Sequence, residues 1–306
     1  MIETYCQPLA HGIILSCRAT GERGRPVLMF LHGFPEAAFV WDFLLEHFSR
    51  AENGGYRCVA PNLRGFEHSS APANVSAYRP KQLVQDIAAL IALEAQHQGG
   101  QLACLVAHDW GGAVAWRLAN QLPHLIRQLV IINAPHPGTF LRELKANPAQ
   151  QIASAYMNFL IRPDAEQLLA QHDYRHLWKF LTNTKNGAHA AKWLTDAVKA
   201  QYRKVWEAGL TGGCNLYRAS PLRPPRPEDP AAAAVDLPHA LLTVSVPTLV
   251  IWALNDIALP PVLTEGLSDY VEHLTLQTVP DATHWIVHEK PQLVAQLLQH
   301  FLLLNK

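Results

Sequence analysis

Through the first 135 residues, short apolar runs alternate with stretches of helical spacing. Pro26–Leu31 is an unbroken apolar run that stops at His32-Gly33, and Tyr56–Ala60 is a second, followed by the polar loop Asn62-Leu63-Arg64-Gly65. Between Pro80 and Gln98, Leu83, Ile87, Leu90, Ile91 and Leu93 are at helical spacing. Gln101–Ala107 then predicts a strand, Gly111–Gln121 a helix and Gln128–Ile132 another strand. Strands that are apolar throughout, joined by amphipathic helices, predict an α/β fold: a mostly parallel sheet with helices on both faces.

The alternation stops near Pro135. From there to about Ala240 the pattern is helical and aromatic-containing, without a buried strand, and ends in a Pro- and Ala-rich stretch, Pro221–Pro238, that predicts a tether or long loop. Strands return at Pro247–Trp252 and Leu274–Val279, and a helix from about Lys290 to Leu304 follows. The expected organisation is one α/β core in two pieces, residues 1–135 and 240–306, with a helical cap, residues 136–239, inserted between them. His136-Pro137 is the expected hinge into the cap.

Composition narrows the function. Lys plus Arg and Asp plus Glu are equal at 25 each, so nothing favours nucleic acid or an anionic membrane as partner. Cys6, Cys17, Cys58, Cys104 and Cys214 lack paired or CxxC spacing and read as free thiols. No GxGxxG fingerprint or metal-ligand spacing is present, so neither a cofactor nor a metal is expected; His172 and His176 read as a solvated face. The first residues do not resemble a signal peptide and no apolar run approaches the roughly 18 residues of a membrane span, so a soluble, cytoplasmic protein is expected.

The chemistry begins at Ala107-His108-Asp109-Trp110-Gly111-Gly112, where a predicted strand turns directly into a predicted helix. Such a turn lifts one side chain clear of the sheet and needs small residues two positions to either side, here Ala107 and Gly111. An isolated Asp at a helix start would read as a cap. In this setting Asp109 reads as a nucleophile. A carboxylate suits attack on a saturated carbon bearing a strained or good leaving group, and leaves an ester that water must cleave.

Water needs a base, and His284, in Val279-Pro280-Asp281-Ala282-Thr283-His284-Trp285, falls on the loop after the last strand. An imidazole accepts a proton near neutral pH. Asp256, just past the strand ending at Trp252, is the expected acid that orients it. Asp281 is nearer in sequence but is expected to shape the loop, and Asn133, after the strand ending at Ile132, cannot carry the charge. The backbone N–H groups of Phe34, in His32-Gly33-Phe34-Pro35-Glu36, and of Trp110 are the expected donors to the oxyanion formed during ester cleavage.

Together with Leu63-Arg64-Gly65-Phe66, Asn133-Ala134-Pro135-His136-Pro137 and Ala253-Leu254-Asn255-Asp256, these motifs resemble the epoxide hydrolase branch of the α/β-hydrolase superfamily over nearly the whole chain. The resemblance implies an α/β-hydrolase fold with a helical cap, a small apolar epoxide as substrate, and cap tyrosines that protonate the epoxide oxygen. It maps one tyrosine to Tyr217, in Gly213-Cys214-Asn215-Leu216-Tyr217-Arg218. For the other, alignment on Pro163 puts Phe159 at the usual tyrosine position, with Tyr156 one helical turn earlier on the same face. Either Tyr156 substitutes, or Tyr217 acts with one phenol. Phe34, Trp110, Phe159 and Trp285 are the expected substrate contacts.

Two other functions compete. The same Asp, His and acid hydrolyse alkyl halides, and Trp110 beside the nucleophile resembles haloalkane dehalogenases; Phe34, however, stands where those enzymes often carry an Asn halide donor. Fluoroacetate dehalogenases bind their substrate with arginines after the nucleophile, where this chain has Trp110 and Ala113. A non-catalytic small-molecule binder on the same fold is the alternative from another class.

Overall fold

The computed structural model describes residues 1–182 and 191–304. Its centre is an eight-stranded sheet in the order β1-β2-β4-β3-β5-β6-β7-β8, formed by β1 Glu3–Pro8, β2 Ile14–Thr20, β3 Val27–Leu31, β4 Arg57–Pro61, β5 Cys104–His108, β6 Leu129–Ile132, β7 Thr248–Ala253 and β8 Leu274–Val279. From β4 to β8 every pairing is parallel, as the apolar runs predict. The edge strands differ. β1 and β2 were not expected from the sequence: β1 pairs antiparallel with β2 and β2 with β4, and β1 is too exposed to carry a continuous apolar run. β8 is likewise mostly exposed.

Around the sheet run α1 Asp42–Ser49, α2 Pro80–Glu94 and α3 Trp110–Gln121. Between β6 and β7 lie α4 Pro137–Ala146, α5 Pro148–Ala153, α6 Tyr156–Leu160, α7 Ala165–Thr182, α8 Asp196–Glu207, α9 Thr211–Ala219 and α10 Pro230–Ala233. The chain closes with α11 Ile286–Glu289 and α12 Pro291–Leu304. Helices α1 and α12 pack on one another, as do α2 and α3, which builds two helical layers about the sheet. The predicted last helix begins one residue later than expected because Pro291 sets its first turn.

The α4–α10 insertion contains no strand among its described residues. His136 caps α4, accepting from the Gly138 N–H, so the predicted hinge is a helix start. The stretch predicted as a tether is partly structured, with α10 and an Arg223–Asp229 ion pair. α7 is broken by three left-handed residues, His172, Asp173 and Tyr174, which takes His172 and His176 off a common helix face.

Two close approaches explain local sequence. A Cβ on Gly111 would stand 2.4 Å from the Leu31 carbonyl oxygen, so α3 passes β3 only because glycine is there. Where the insertion meets the core, Gly212 in α9 lies on Gly65, at 2.3 Å from a Cβ built on Gly212 to the Gly65 Cα. That contact seats the helix carrying Tyr217 on the loop after β4.

Candidate active site

Parallel strands place their carboxyl-terminal loops on one edge of the sheet, and the four strands β3, β5, β7 and β8 each deliver one element of the site there. Asp109 follows β5 with φ 49° and ψ −121°, a conformation that L side chains rarely adopt and that the flanking strand and helix enforce. Its side chain caps no helical N–H. One oxygen, Oδ1, instead accepts the backbone N–H of Phe34 at 2.8 Å. Trp110 is the first residue of α3, and its N–H has no intrahelical partner by position.

The other oxygen, Oδ2, lies 3.8 Å from Nε2 of His284. Nδ1 of the same imidazole is 2.6 Å from Oδ2 of Asp256. Asp256 is fully buried after β7. Its Oδ1 accepts the N–H groups of Ala258 and Leu259 at 2.9 Å each, and its Oδ2 also accepts the side-chain amide of Asn133 at 3.0 Å. Burial pushes the Asp256 carboxyl up, but the His284 charge and hydrogen bond, with those two N–H groups, hold it below the usual range. For His284 burial pulls the imidazole down, and Asp256 and then Asp109 outweigh it, pushing it up to about 9. Asp281 faces away, paired with Lys290 at the surface.

The sequence reading did not single out the layer behind His284. Nε2 of His108 lies 2.9 Å from the His284 carbonyl oxygen, and its Nδ1 lies 2.8 Å from Glu36. Burial favours a neutral Glu36, but His108 outweighs it and lowers the carboxyl to about 2. The signal was present: a histidine ending the apolar run Leu105–His108 is buried and must find a partner. Asn133 was set aside for its lack of charge, and its place is to donate to the acid rather than to be one.

Facing Asp109 is a cavity of about 80 Å³ whose lining includes Trp110, Ala113, Tyr156, Met157 and Tyr217. Tyr156 and Tyr217 come together with their ring centroids 6.0 Å apart. Burial first, and then their mutual proximity and the Asp109 charge for Tyr217, raises that phenol well above its ordinary value; burial and Asp109 raise Tyr156 as well. The Trp110 ring meets Tyr217 edge-on, 4.9 Å between centroids. Tyr156, not Phe159, lines this cavity with Tyr217. Phe159 lines a second cavity of about 240 Å³ with Phe34, Tyr156, His176, Leu177 and Phe180.

Trp285 also departs from expectation. It is buried with its ring edge-on to His284, 4.9 Å between centroids, and packs on Phe180, so it walls the imidazole rather than the cavity before Asp109. Among the described residues no group of three His, Cys, Asp or Glu is arranged to hold a metal, and no helix is long and apolar enough to cross a membrane. All five cysteines are free.

Residues 26–291 match the model of the α/β hydrolase fold family. Epoxide hydrolase 3 of Xenopus tropicalis is 32% identical over 97% of this chain and 77% of its own length. The AB hydrolase superfamily protein YfhM of Bacillus subtilis is 32% identical over 95% of both chains. Among solved structures, one from a study of novel epoxide hydrolases in metagenomes from hot environments superposes with a TM-score of 0.84 at 35% identity over 99% of both chains. An inhibitor complex of the Bacillus megaterium epoxide hydrolase superposes with a TM-score of 0.83 at 28% identity, over 99% of this chain and all of the other.

Proposed function

The chain belongs to the α/β-hydrolase fold family, in its epoxide hydrolase branch, and from that premise we propose that it opens epoxides to vicinal diols through an ester on Asp109. Residues 1–135 and 240–306 act as the catalytic core and residues 136–239 as the cap. The observation that carries the reading is one cavity lined by the Asp109 carboxylate and the Tyr156 and Tyr217 phenols, with the Asp256-paired imidazole of His284 3.8 Å from that carboxylate.

Oδ2 of Asp109 attacks an epoxide carbon, forming a C–O bond as the ring C–O bond breaks. The emerging alkoxide takes the proton of Tyr217 or Tyr156, leaving a phenolate; the second phenol holds the oxygen. Oδ1 becomes the ester carbonyl oxygen and is already on the Phe34 N–H. Forming the ester removes the Asp109 charge, one of the influences that raise His284, so the imidazole becomes a better-matched base just when water must be activated. Water attacks Cγ, His284 takes its proton, and Oδ1 carries the negative charge on Phe34 and Trp110 N–H. The Cγ–Oδ2 bond breaks, the departing alkoxide takes the His284 proton, and the remaining proton on Asp109 returns to the phenolate. Asp256 orients the imidazole and stabilises its charged form.

Diol formation from styrene oxide, measured beside halide release from a bromoalkane, tests this. In a single turnover in H₂¹⁸O, the label is expected in Asp109 and not in the diol. Label in the diol would overturn the ester route. Halide release without diol would favour the dehalogenase reading that Trp110 suggests, and neither product, with no adduct on His284→Gln protein, would favour a binding protein.

A further inference from the structure

Helix α8 lies in the insertion and is not placed on the reacting cavity, yet it grips the loop that supplies the oxyanion donor. Tyr202 and Trp206 are four residues apart, so they share a face, and both are buried, at 0% and 2% exposure. The Trp206 indole N–H donates to the Pro35 carbonyl at 2.8 Å. The Tyr202 hydroxyl lies 3.4 Å from Glu36 and 2.9 Å from Nε2 of His288. Two successive residues of the loop after β3 are thus held from above, immediately after Phe34, whose N–H meets Asp109.

From below, Pro35 and Glu36 have different fates. Glu36 is anchored through His108 to the His284 carbonyl. For the Pro35 carbonyl the Trp206 indole is the described side-chain donor. The grip is stiff. Trp206 sits in an aromatic cluster, edge-on to Trp178 at 4.4 Å and tilted against Tyr202 at 5.4 Å, and Trp193 stacks on His288 at 4.3 Å with the rings 7° apart. On its outer side α8 is tied to the left-handed turn of α7 by Arg203, which pairs with Asp173 at 2.7 Å.

Resting on the ester mechanism above, we propose that Trp206, assisted by Tyr202, is a positioning residue for the oxyanion hole, which makes ester cleavage depend on how α8 seats on the core. The two chemical steps place unequal demands on the Phe34 N–H. During ring opening, Oδ1 goes from carboxylate to carbonyl oxygen and its charge falls. During cleavage it becomes a full oxyanion, and a donor that has drifted is felt there. Loosening the Pro35 carbonyl should therefore slow the second step and spare the first.

The kinetic signature is specific. In a two-step reaction, slowing only the second step lowers kcat and KM together, leaves kcat/KM unchanged and accumulates the ester. Trp206→Phe keeps an aromatic ring and removes the N–H. With styrene oxide as probe, we expect kcat and KM to fall about tenfold together, less than the hundred- to thousand-fold loss on deleting a donor outright. Rapid-quench intact mass should then find most of the enzyme as the Asp109 adduct. Tyr202→Phe, which removes only the hydroxyl, should move both readouts the same way by a smaller factor and gives an independent test should Trp206→Phe not fold. Lys204→Ala, on the exposed side of α8, should leave both unchanged. An unaltered adduct fraction in folded Trp206→Phe and Tyr202→Phe would overturn the inference, as would a fall in kcat/KM at constant KM. If wild-type enzyme itself forms neither diol nor adduct, the ester reading fails instead, and the inference with it.

Discussion

On the sheet side of the cavity, Asp109, His284 and Asp256 are held by short directional hydrogen bonds: Phe34 to Asp109 at 2.8 Å, His284 to Asp256 at 2.6 Å, and a second set behind them through Asn133, His108 and Glu36. On the helical side, Tyr156 and Tyr217 are held by packing. Tyr217 meets Phe34, Trp110 and Tyr156 edge-on, and Tyr156 packs on Phe180. The difference follows from what each side must do in the proposed mechanism. An ion pair on an imidazole must keep its angle through two proton transfers, and only paired, buried hydrogen bonds fix it so well. A phenol that donates one proton needs its ring placed and its environment kept dry.

Four measurements break or sharpen that contrast. The largest effect is expected at the sheet side. Asp109→Ala should reduce turnover by at least ~10⁴-fold and give no adduct, and Asp256→Asn should cost a similar ~10⁴, the scale seen when a triad acid loses its charge. Activity within tenfold of wild type in either variant would remove them from the site. At the helical side, Tyr217→Phe and Tyr156→Phe should each cost roughly 10²-fold in ring opening, the low end for a general acid, with the second phenol retaining part of the function. A loss equal to that of Asp109→Ala would mean that the two sides are not divided as described.

The third measurement is stability against pH. His284 has its folded pKa raised to about 9, above the ordinary histidine value, so its contribution is complete below about pH 6.5 and is lost as the pH rises through about 9. The magnitude is roughly 2–4 kcal/mol for a group this buried. His32, His136 and His288 are each lowered to about 4 by burial, so their contribution has the opposite sense, present above about pH 6.5 and lost as the pH falls through about 4. Denaturant titrations should find wild type losing stability from pH 7 to 10 more steeply than Asp256→Asn. Parallel curves would show that the His284–Asp256 pair contributes nothing to folding. The smallest effect is at the seam between the two regions: Gly212→Ala should destabilise by about 1–3 kcal/mol, because a methyl group has no room against Gly65. Unchanged stability would show that α9 can lift off the core at no cost.

The sheet side was the more legible one. A carboxylate between Ala107 and Gly111 at a strand–helix junction can be read one residue at a time, because the elbow is local geometry. His284 and Asp256 follow from strand order, since a parallel sheet gathers its carboxyl-terminal loops at one edge. The helical side was less so. Tyr156 and Phe159 are three apart on a five-residue helix, and periodicity alone cannot say which of them turns toward Asp109 and which toward the neighbouring cavity. Trp285 sits beside His284 in sequence, yet its ring backs the imidazole, a matter of side-chain direction.

What the residues settled unaided was therefore the periodic and the local: the buried parallel strands, the helical insertion, the elbow and the order of Asp109, Asp256 and His284 along the sheet edge. Solvent exclusion and backbone geometry act over a few residues, and they leave a pattern in the chain. The antiparallel edge β1–β2, the pairing of Glu36 with His108, the donation from Asn133 to Asp256 and the hold of α8 on Pro35 were decided only by the tertiary structure. Each joins groups distant in sequence through a hydrogen bond whose partners leave no periodic trace, and it is folding, by removing water from them, that makes each one choose the other.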